Sequence, residues 1–390
     1  MELTRKQEEG LKIAVQRYRD GEPYTIVAGY AGTGKSTLVQ FIVSALDFDP
    51  YSVAYIAYTG KAAQVLRKKG CPNAMTAHRL LYKSHEKEDG SFIHVPKQEI
   101  GEYKMIVVDE VSMLPQKMWD LLLSHHIYVI ACGDPGQLPP IGEETTVLEE
   151  PHIFLDEIMR QAADSEIIRL SADIRERKPL KPFKGTEVNI VTKDQFVDGM
   201  MTWADQVICG KNDTRYSLNA YYRRMKWGTD IDLSAPLVGD KVICRKNNWE
   251  KVTQAGDALV NGTIGELTRV YKRPDHLLGT KCYIDFQPDT DPVYDPTGWE
   301  LDTEFHKLSV DYKLLTTGEP LITKENYHMF PKWLRPEQFE YGYAITTHKA
   351  QGSEYDKVLV LEEMLKATDH ARWLYTAVTR ASKRLTLVMK

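Results

Sequence analysis

The chain has 390 residues, enough for about two or three domains with ample buried core, and it carries a net charge of −5 with a pI near 6.2. That balance excludes a general coating of basic residues, so any nucleic-acid contact must use a local groove. No run approaches the ~18 apolar residues of a membrane span, and Met1-Glu2-Leu3-Thr4-Arg5-Lys6 leads into a polar helix instead of a signal segment, so a cytoplasmic protein with no membrane contact is expected. The five cysteines (Cys71, Cys132, Cys209, Cys244, Cys282) form no CxxC pair, which predicts buried reduced thiols.

In chain order, the apolar run Tyr24–Ala28 predicts a strand and Thr37–Leu46 a helix. Between them lies Gly29-Tyr30-Ala31-Gly32-Thr33-Gly34-Lys35-Ser36, a complete GxxxxGK[ST] loop. Its glycines let the backbone turn until several N–H groups converge on phosphates, and the helix that follows offers its positive end to the same charge. Lys35 adds a point charge and Ser36 a hydroxyl for Mg2+. Gly29, Ala31, Gly32, Thr33, Gly34, Lys35, Ser36 and Thr37 are the candidate contacts of ATP.

Ser52–Ala57 reads as a second strand and Lys61–Lys69 as a helix, the alternation of a parallel α/β sheet. Asp89-Gly90, within Tyr82–Gly101, signals a hairpin. Met105–Val108 is continuously apolar, as a strand buried on both faces requires, and it ends in Asp109-Glu110. Two acids at a strand's carboxyl end face a ligand crevice. Asp109 is suited to hold the Mg2+ water shell, and Glu110 to orient and deprotonate an attacking water.

A further strand, Ile127–Cys132, runs into Gly133-Asp134-Pro135-Gly136-Gln137-Leu138-Pro139-Pro140-Ile141. Leu155–Gln161 and Ile167–Leu170 have helical spacing. Val207–Asn212 predicts a strand that leads to a helix over Thr214–Arg224, in which Asn219 and Arg223 share a face. For those two, a structural cap or ion pair and a ligand role both stay open. Gly239–Cys244, Gly262–Val270 and Lys281–Phe286 are short strands separated by turn residues, a pattern that predicts a small β-barrel. Gln287–Trp299 reads as an exposed acidic loop.

The pair Asp109-Glu110 followed by Gly133-Asp134-Pro135-Gly136-Gln137-Leu138-Pro139-Pro140 resembles motifs II and III of superfamily 1 helicases, in particular the RecD-like, Dda-like and Pif1-like branch. Tyr58–Ala63 resembles motif Ia, Thr76–Leu81 the next DNA-contacting motif, Leu155–Gln161 motif IV, Tyr341–Glu354 motif V and Trp373–Ala381 motif VI. The resemblance covers nearly the whole chain. It implies an α/β fold of two RecA-like P-loop NTPase domains, 1–150 and 151–235 with 339–390. It also implies an SH3-like β-barrel inserted in the second at 236–338 and a small hairpin at 82–100 in the first.

The same resemblance assigns roles. Gln7 reads the adenine edge, Gln137 senses the γ-phosphate, and Arg160 and Arg380 are arginine fingers. Gln351, Gly352 and Glu354 belong to the nucleotide side. Tyr58, Thr59, Lys61, Thr76, His78, Thr347, His348 and Lys349 are candidate DNA contacts. An arginine finger is worth roughly 10^3–10^5 in rate in phosphoryl-transfer enzymes.

The activity implied is that of an ATP-dependent DNA helicase, a monomer that moves 5′ to 3′ on single-stranded DNA and unwinds fork or overhang duplex. Single-strand-binding protein or other replication and repair factors are the implied partners. A translocase that only displaces proteins, an ATP-driven switch and an RNA substrate stay open as alternatives. For 82–100 a duplex-splitting wedge stands beside an ordinary surface hairpin. For Trp249, Trp299, Tyr327, Phe330 and Trp333 a base-stacking face stands beside barrel core or a domain interface.

Overall fold

The computed structural model describes residues 3–390 except 72, 87–91, 140–144, 160–163, 229–234, 276–278, 291, 295–296, 324, 332–333 and 366–368. Arg160, the Asp89-Gly90 turn and Trp333 therefore lie outside the described residues. The chain divides into two compact units. The first comprises Met1–Lys83, Pro96–Lys211 and Thr346–Lys390, and the second Ser84–Val95 and Asn212–Ile345.

The first unit holds two parallel sheets. Tyr24–Gly29 (β1), Val53–Ala57 (β2) and Met75–Thr76 (β3) belong to one of them. The intervening helices are Lys35–Ala45 (α2) and Gly60–Lys68 (α3), and Arg5–Arg19 (α1) precedes β1. Ala77–Leu81 (α4) leads into the paired strands Tyr82–Glu86 (β4) and Phe92–Pro96 (β5). Met105–Asp109 (β6), Tyr128–Gly133 (β7) and Ile153–Leu155 (β8) complete the sheet, whose order is β3-β2-β6-β7-β1-β8.

Every pairing in it is parallel, with Ala57 opposite Asp109 and Thr76, Ala28 opposite Gly133, and Gly29 opposite Leu155. That register brings the carboxyl ends of the strands to one edge, where the loops after them must meet. Alternate strand residues enter opposite cores. Ile26, Ile106, Val108, Val129 and Ala131 pack with α4, while Val27, Met105, Val107, Ile130 and Cys132 pack with Leu38, Val39 and Ile42 of α2. Both faces are covered, which is why the strands are apolar throughout.

The second sheet contains Val188–Thr192, Gln206–Cys209, Tyr355–Leu361 and Ala381–Met389 in parallel pairs, with Phe183–Lys184 antiparallel at one edge. One expected element differs. Leu155 ends a strand paired with β1 and Asp156–Met159 is not helical, residues 160–163 lie outside the described residues, and a helix runs over Glu166–Arg175. The reason is tertiary: Tyr30 N donates to Leu155 O and Met159 N to Gly32 O, which commits this backbone to the loop after β1.

In the second unit, Lys241–Cys244, Ile264–Asp275, Gly279–Pro288, Phe305–Val310 and Phe339–Tyr341 form an antiparallel sheet. Its core is built from Val242, Leu267, Ile284, Phe286, Phe305 and Phe339. Phe330 is buried and Trp299 is 76% exposed, so these two aromatics have different surroundings. The helix Asn212–Trp227 groups with this unit. It buries Arg215, Asn219 and Arg223, spaced by four, and each has a structural partner. Arg215 donates to both oxygens of Glu340 at 2.6 and 3.3 Å, Arg223 is bidentate to Asp240, and Asn219 bonds the backbone N–H and C=O of Ala344.

All five cysteines are free thiols. Among the described residues no helix is long and apolar enough to cross a membrane.

Glu340 also accepts from Tyr216 and Arg245, so its carboxylate neutralises a crowd of donors. Glu340→Gln leaves Arg215 buried and unpaired, and a loss of about 3–5 kcal/mol is expected in urea unfolding of the second unit. A loss under about 1 kcal/mol is what a solvent-exposed pair gives, and would contradict the buried geometry.

Candidate functional site

The phosphate loop is shaped by two glycines. At Gly29 a Cβ would come within 2.7 Å of Thr33 Oγ1 and 2.8 Å of Leu155 O, so no side chain fits. Gly34 has φ +76°, and a Cβ there would collide with Gln7 and Met159. The Tyr30 carbonyl gathers the turn by accepting from Thr33 Oγ1 at 2.8 Å and Lys35 Nζ at 3.0 Å. Helix α2 then starts at Gly34 with no side-chain cap, which leaves its first-turn N–H groups and positive end to an anion. Gln7 is 1% exposed and lies on this loop, giving Nε2 to Thr33 O and Gly34 O while its Oε1 closes a capping box with Thr4. Ser36 is exposed and Thr37 half-buried at the start of α2.

Across the same edge, Asp109 Oδ1 accepts from Glu110 N at 3.0 Å and from the Cys132 thiol at 3.1 Å. Glu110 stands at φ +52°, a left-handed conformation that a non-glycine residue holds only where its surroundings impose it. Burial pushes its carboxyl above the usual range. The Arg380 and Lys35 charges pull it back, and Asp109 and Asp134 raise it further. The described charges around this acid are therefore the cations and acids that phosphoryl transfer needs. Arg380 is 6% exposed and aimed by bonds to Thr376 O, Ser353 O and Thr379 Oγ1.

Gln137 is buried, and its Oε1 has no hydrogen-bond partner among the described residues. Next to it, Leu138 N donates to Thr376 Oγ1, and Leu138 O accepts from Gln351 Nε2 at 2.9 Å. Gly352, at φ +72°, packs against Thr59 and Ala62, and Glu354 is exposed. The orphaned amide, the uncapped helix end and the glycine-walled loop fit a nucleoside triphosphate. The Ser36 hydroxyl and Asp109 carboxylate are hard oxygen donors of the kind Mg2+ takes.

Among the candidate DNA contacts, Thr59 and Thr76 cap helices, accepting from Ala62 N and Arg79 N at 3.2 Å. Thr76 is buried, whereas Tyr58, Lys61 and His78 are half-buried. The His78 ring lies between Tyr58 and Tyr82, with centroids 5.7 and 5.9 Å away. Thr347 is fully buried and gives its hydroxyl to Cys209 O, so it supports the loop from beneath. His348 and Lys349 are the partly exposed members of that trio. Burial lowers the His348 pKa, so its ring is neutral at pH 7 and offers an N–H donor without charge.

Sequence reasoning singled out neither Tyr375 nor Asp134, although both lie within recognised motifs. The Tyr375 hydroxyl accepts from Ala31 N at 2.9 Å and donates to Asp134 Oδ2 at 2.6 Å. Arg175, whose guanidinium lies 3.6 Å from the Tyr30 ring centroid, was missed as well. A cation stacked on the phosphate loop from a helix more than a hundred residues away leaves no spacing signal.

Residues 2–194 match the family model of an AAA domain, and residues 341–388 that of a UvrD-like helicase C-terminal domain. The chain is 26% identical to an ATP-dependent RecD2 DNA helicase of Deinococcus radiodurans, over 93% of this chain and 46% of that protein. It thus spans about half of that relative's length. It is 23% identical to the ATP-dependent DNA helicase dda of Enterobacteria phage T4, over 97% of both chains. Among solved structures, Pif1 helicase from Candida albicans shares the fold with a TM-score of 0.52 at 20% identity, over 100% of this chain and 94% of that one. A Pif1 structure described as unwinding forked duplex DNA gives a TM-score of 0.56 at 18% identity, over 99% of this chain and 92% of that one.

Lys35→Ala is expected to abolish ATP hydrolysis with an unchanged thermal midpoint. If Glu110 is the base of the reaction it must be ionised, and its raised carboxyl then places the acid limb of the rate–pH profile above the ordinary carboxylate range. Activity rises with pH through that limb, and Glu110→Gln remains inactive at every pH. A limb centred near pH 4, or a Glu110→Gln variant with the parent's rate, would remove Glu110 from this role.

Proposed function

Because the chain belongs to the superfamily 1 helicases of the RecD-like, Dda-like and Pif1-like branch, we propose that it is a DNA-dependent ATPase that moves 5′ to 3′ along single-stranded DNA and unwinds duplex at forks or overhangs. The observation that carries the proposal is the convergence on Glu110. Phosphate loop, acid pair, Gln137 turn and Arg380 meet at one sheet edge of one compact unit.

In the proposed reaction Gln7 and the amides of the loop hold ATP, with Lys35 on the outer phosphates. Ser36 and Asp109 would hold Mg2+, which when bound neutralises phosphate charge. Glu110 takes the proton of the attacking water, and Arg380 stabilises the charge that develops on the transferred phosphoryl. Arg160 is the second arginine of the proposal.

The DNA path proposed uses Tyr58, Thr59, Lys61, Thr76 and His78 on one side and His348 and Lys349 on the other, with Thr347 beneath. Gly352 links the two surfaces to the nucleotide, since its loop packs on Thr59 while the neighbouring Gln351 bonds the Gln137 turn at Leu138. A change at the phosphates therefore reaches both surfaces through short, packed connections. The strand pair β4–β5 is the proposed wedge, and the antiparallel sheet of the second unit the proposed SH3-like barrel.

ATP hydrolysis with and without single-stranded DNA, followed by unwinding of duplexes with a 5′ or a 3′ overhang, tests the reading. Strong stimulation with opening only from the 5′ overhang is expected. A DNA-independent rate would leave a slow ATP-driven switch, and stimulation by RNA alone would change the substrate. Deleting 83–99 should abolish unwinding while DNA-stimulated hydrolysis persists. Unwinding at the parent rate after that deletion would remove the wedge.

A further inference from the structure

Tyr375 is 1% exposed and sits on the helix His370–Val378. Its oxygen accepts the Ala31 N–H at 2.9 Å, and its proton goes to Asp134 Oδ2 at 2.6 Å. Asp134 is equally buried, and its other oxygen accepts from Gly136 N at 2.9 Å, while its carbonyl accepts from Gln137 N. The ring itself packs against Gly136, where a Cβ would stand 3.0 Å from Cε1. One phenol thus touches the phosphate loop and the turn that presents Gln137. Burial and the Asp134 charge push the phenol pKa far up, so the hydroxyl stays protonated and remains the donor to Asp134.

We propose that Tyr375 is a positioning residue that couples occupancy of the phosphate loop to the Gln137 turn, by holding the Ala31 N–H and the Asp134 carboxylate on a single hydroxyl. This rests on the ATPase reading above. The Ala31 amide has one hydrogen, and a phosphate oxygen, being charged, makes the stronger bond to it than a phenol does. Phosphate entering the loop therefore displaces Tyr375 from Ala31. The released hydroxyl then answers to Asp134 alone, and the Asp134–Gly136–Gln137 turn adjusts with it. Tyr375 opposes nucleotide entry and, in yielding, reports it.

Tyr375→Phe removes the oxygen and keeps the ring, so the packing on Gly136 survives. Nucleotide affinity, turnover and thermal midpoint are to be measured on the same preparation. ADP is expected to bind about two- to fivefold tighter because no internal acceptor has to leave Ala31, while saturated turnover falls about tenfold because Asp134 loses a buried donor. Movement of affinity and turnover in opposite directions is what a purely structural tyrosine does not produce. Asp134→Asn is expected to lower turnover with ADP affinity near that of the parent.

Parent-like values for Tyr375→Phe, or weaker binding together with a lower thermal midpoint, would overturn the proposal. An unsubstituted protein that neither binds nor hydrolyses ATP would instead sink the ATPase reading itself, so the two failures are distinguishable.

Discussion

The tight turn from β1 into α2 is the constraint on which the rest of the site depends. β1 lies between β7 and β8, and its last residue, Gly29, is pressed by the Leu155 backbone and the Thr33 hydroxyl so closely that only hydrogen fits. Because that turn is held, Gln7 can rest on Thr33 and Gly34, Met159 can bond Gly32, and Tyr375 can reach Ala31. The loop is thus a meeting place for the side chains of Gln7 and Tyr375 and the backbone of Leu155 and Met159. Preorganisation of this kind fixes the backbone of the loop before a phosphate arrives.

Electrostatics at Glu110 follow from the same crowding. Desolvation favours the neutral acid, and the Arg380 and Lys35 charges oppose it. The net result is a carboxyl held above its ordinary range. Glu110 also carries a left-handed backbone, a local strain held at the same place.

The second unit uses the same residue types for another end. Arg215 and Arg223 lie on one helical stripe with Asn219 between them; Arg215 bonds Glu340, Arg223 bonds Asp240 and Asn219 bonds the Ala344 backbone. Their charges are fully engaged within the unit, so these residues hold a helix against a sheet. From spacing alone a buried ion pair and a ligand-binding pair are indistinguishable, because both place a cation and an amide on one helix face. Thr347 teaches a related lesson: a hydroxyl in a motif can sit under the functional surface instead of on it.

The sequence by itself determined the parallel strands, the phosphate loop and the acid pair, since those depend on short-range rules: apolar runs buried on both faces, glycines where a Cβ cannot stand, and acids at a strand's end. What only the tertiary structure decided were contacts made across long separations. Leu155 became strand because β1 offered a partner, against the helical spacing of its own neighbourhood. The bridge from Ala31 through Tyr375 to Asp134 joins residues that lie up to 344 positions apart. Such a bond depends on how two sheets pack in one unit, and local periodicity carries no trace of it.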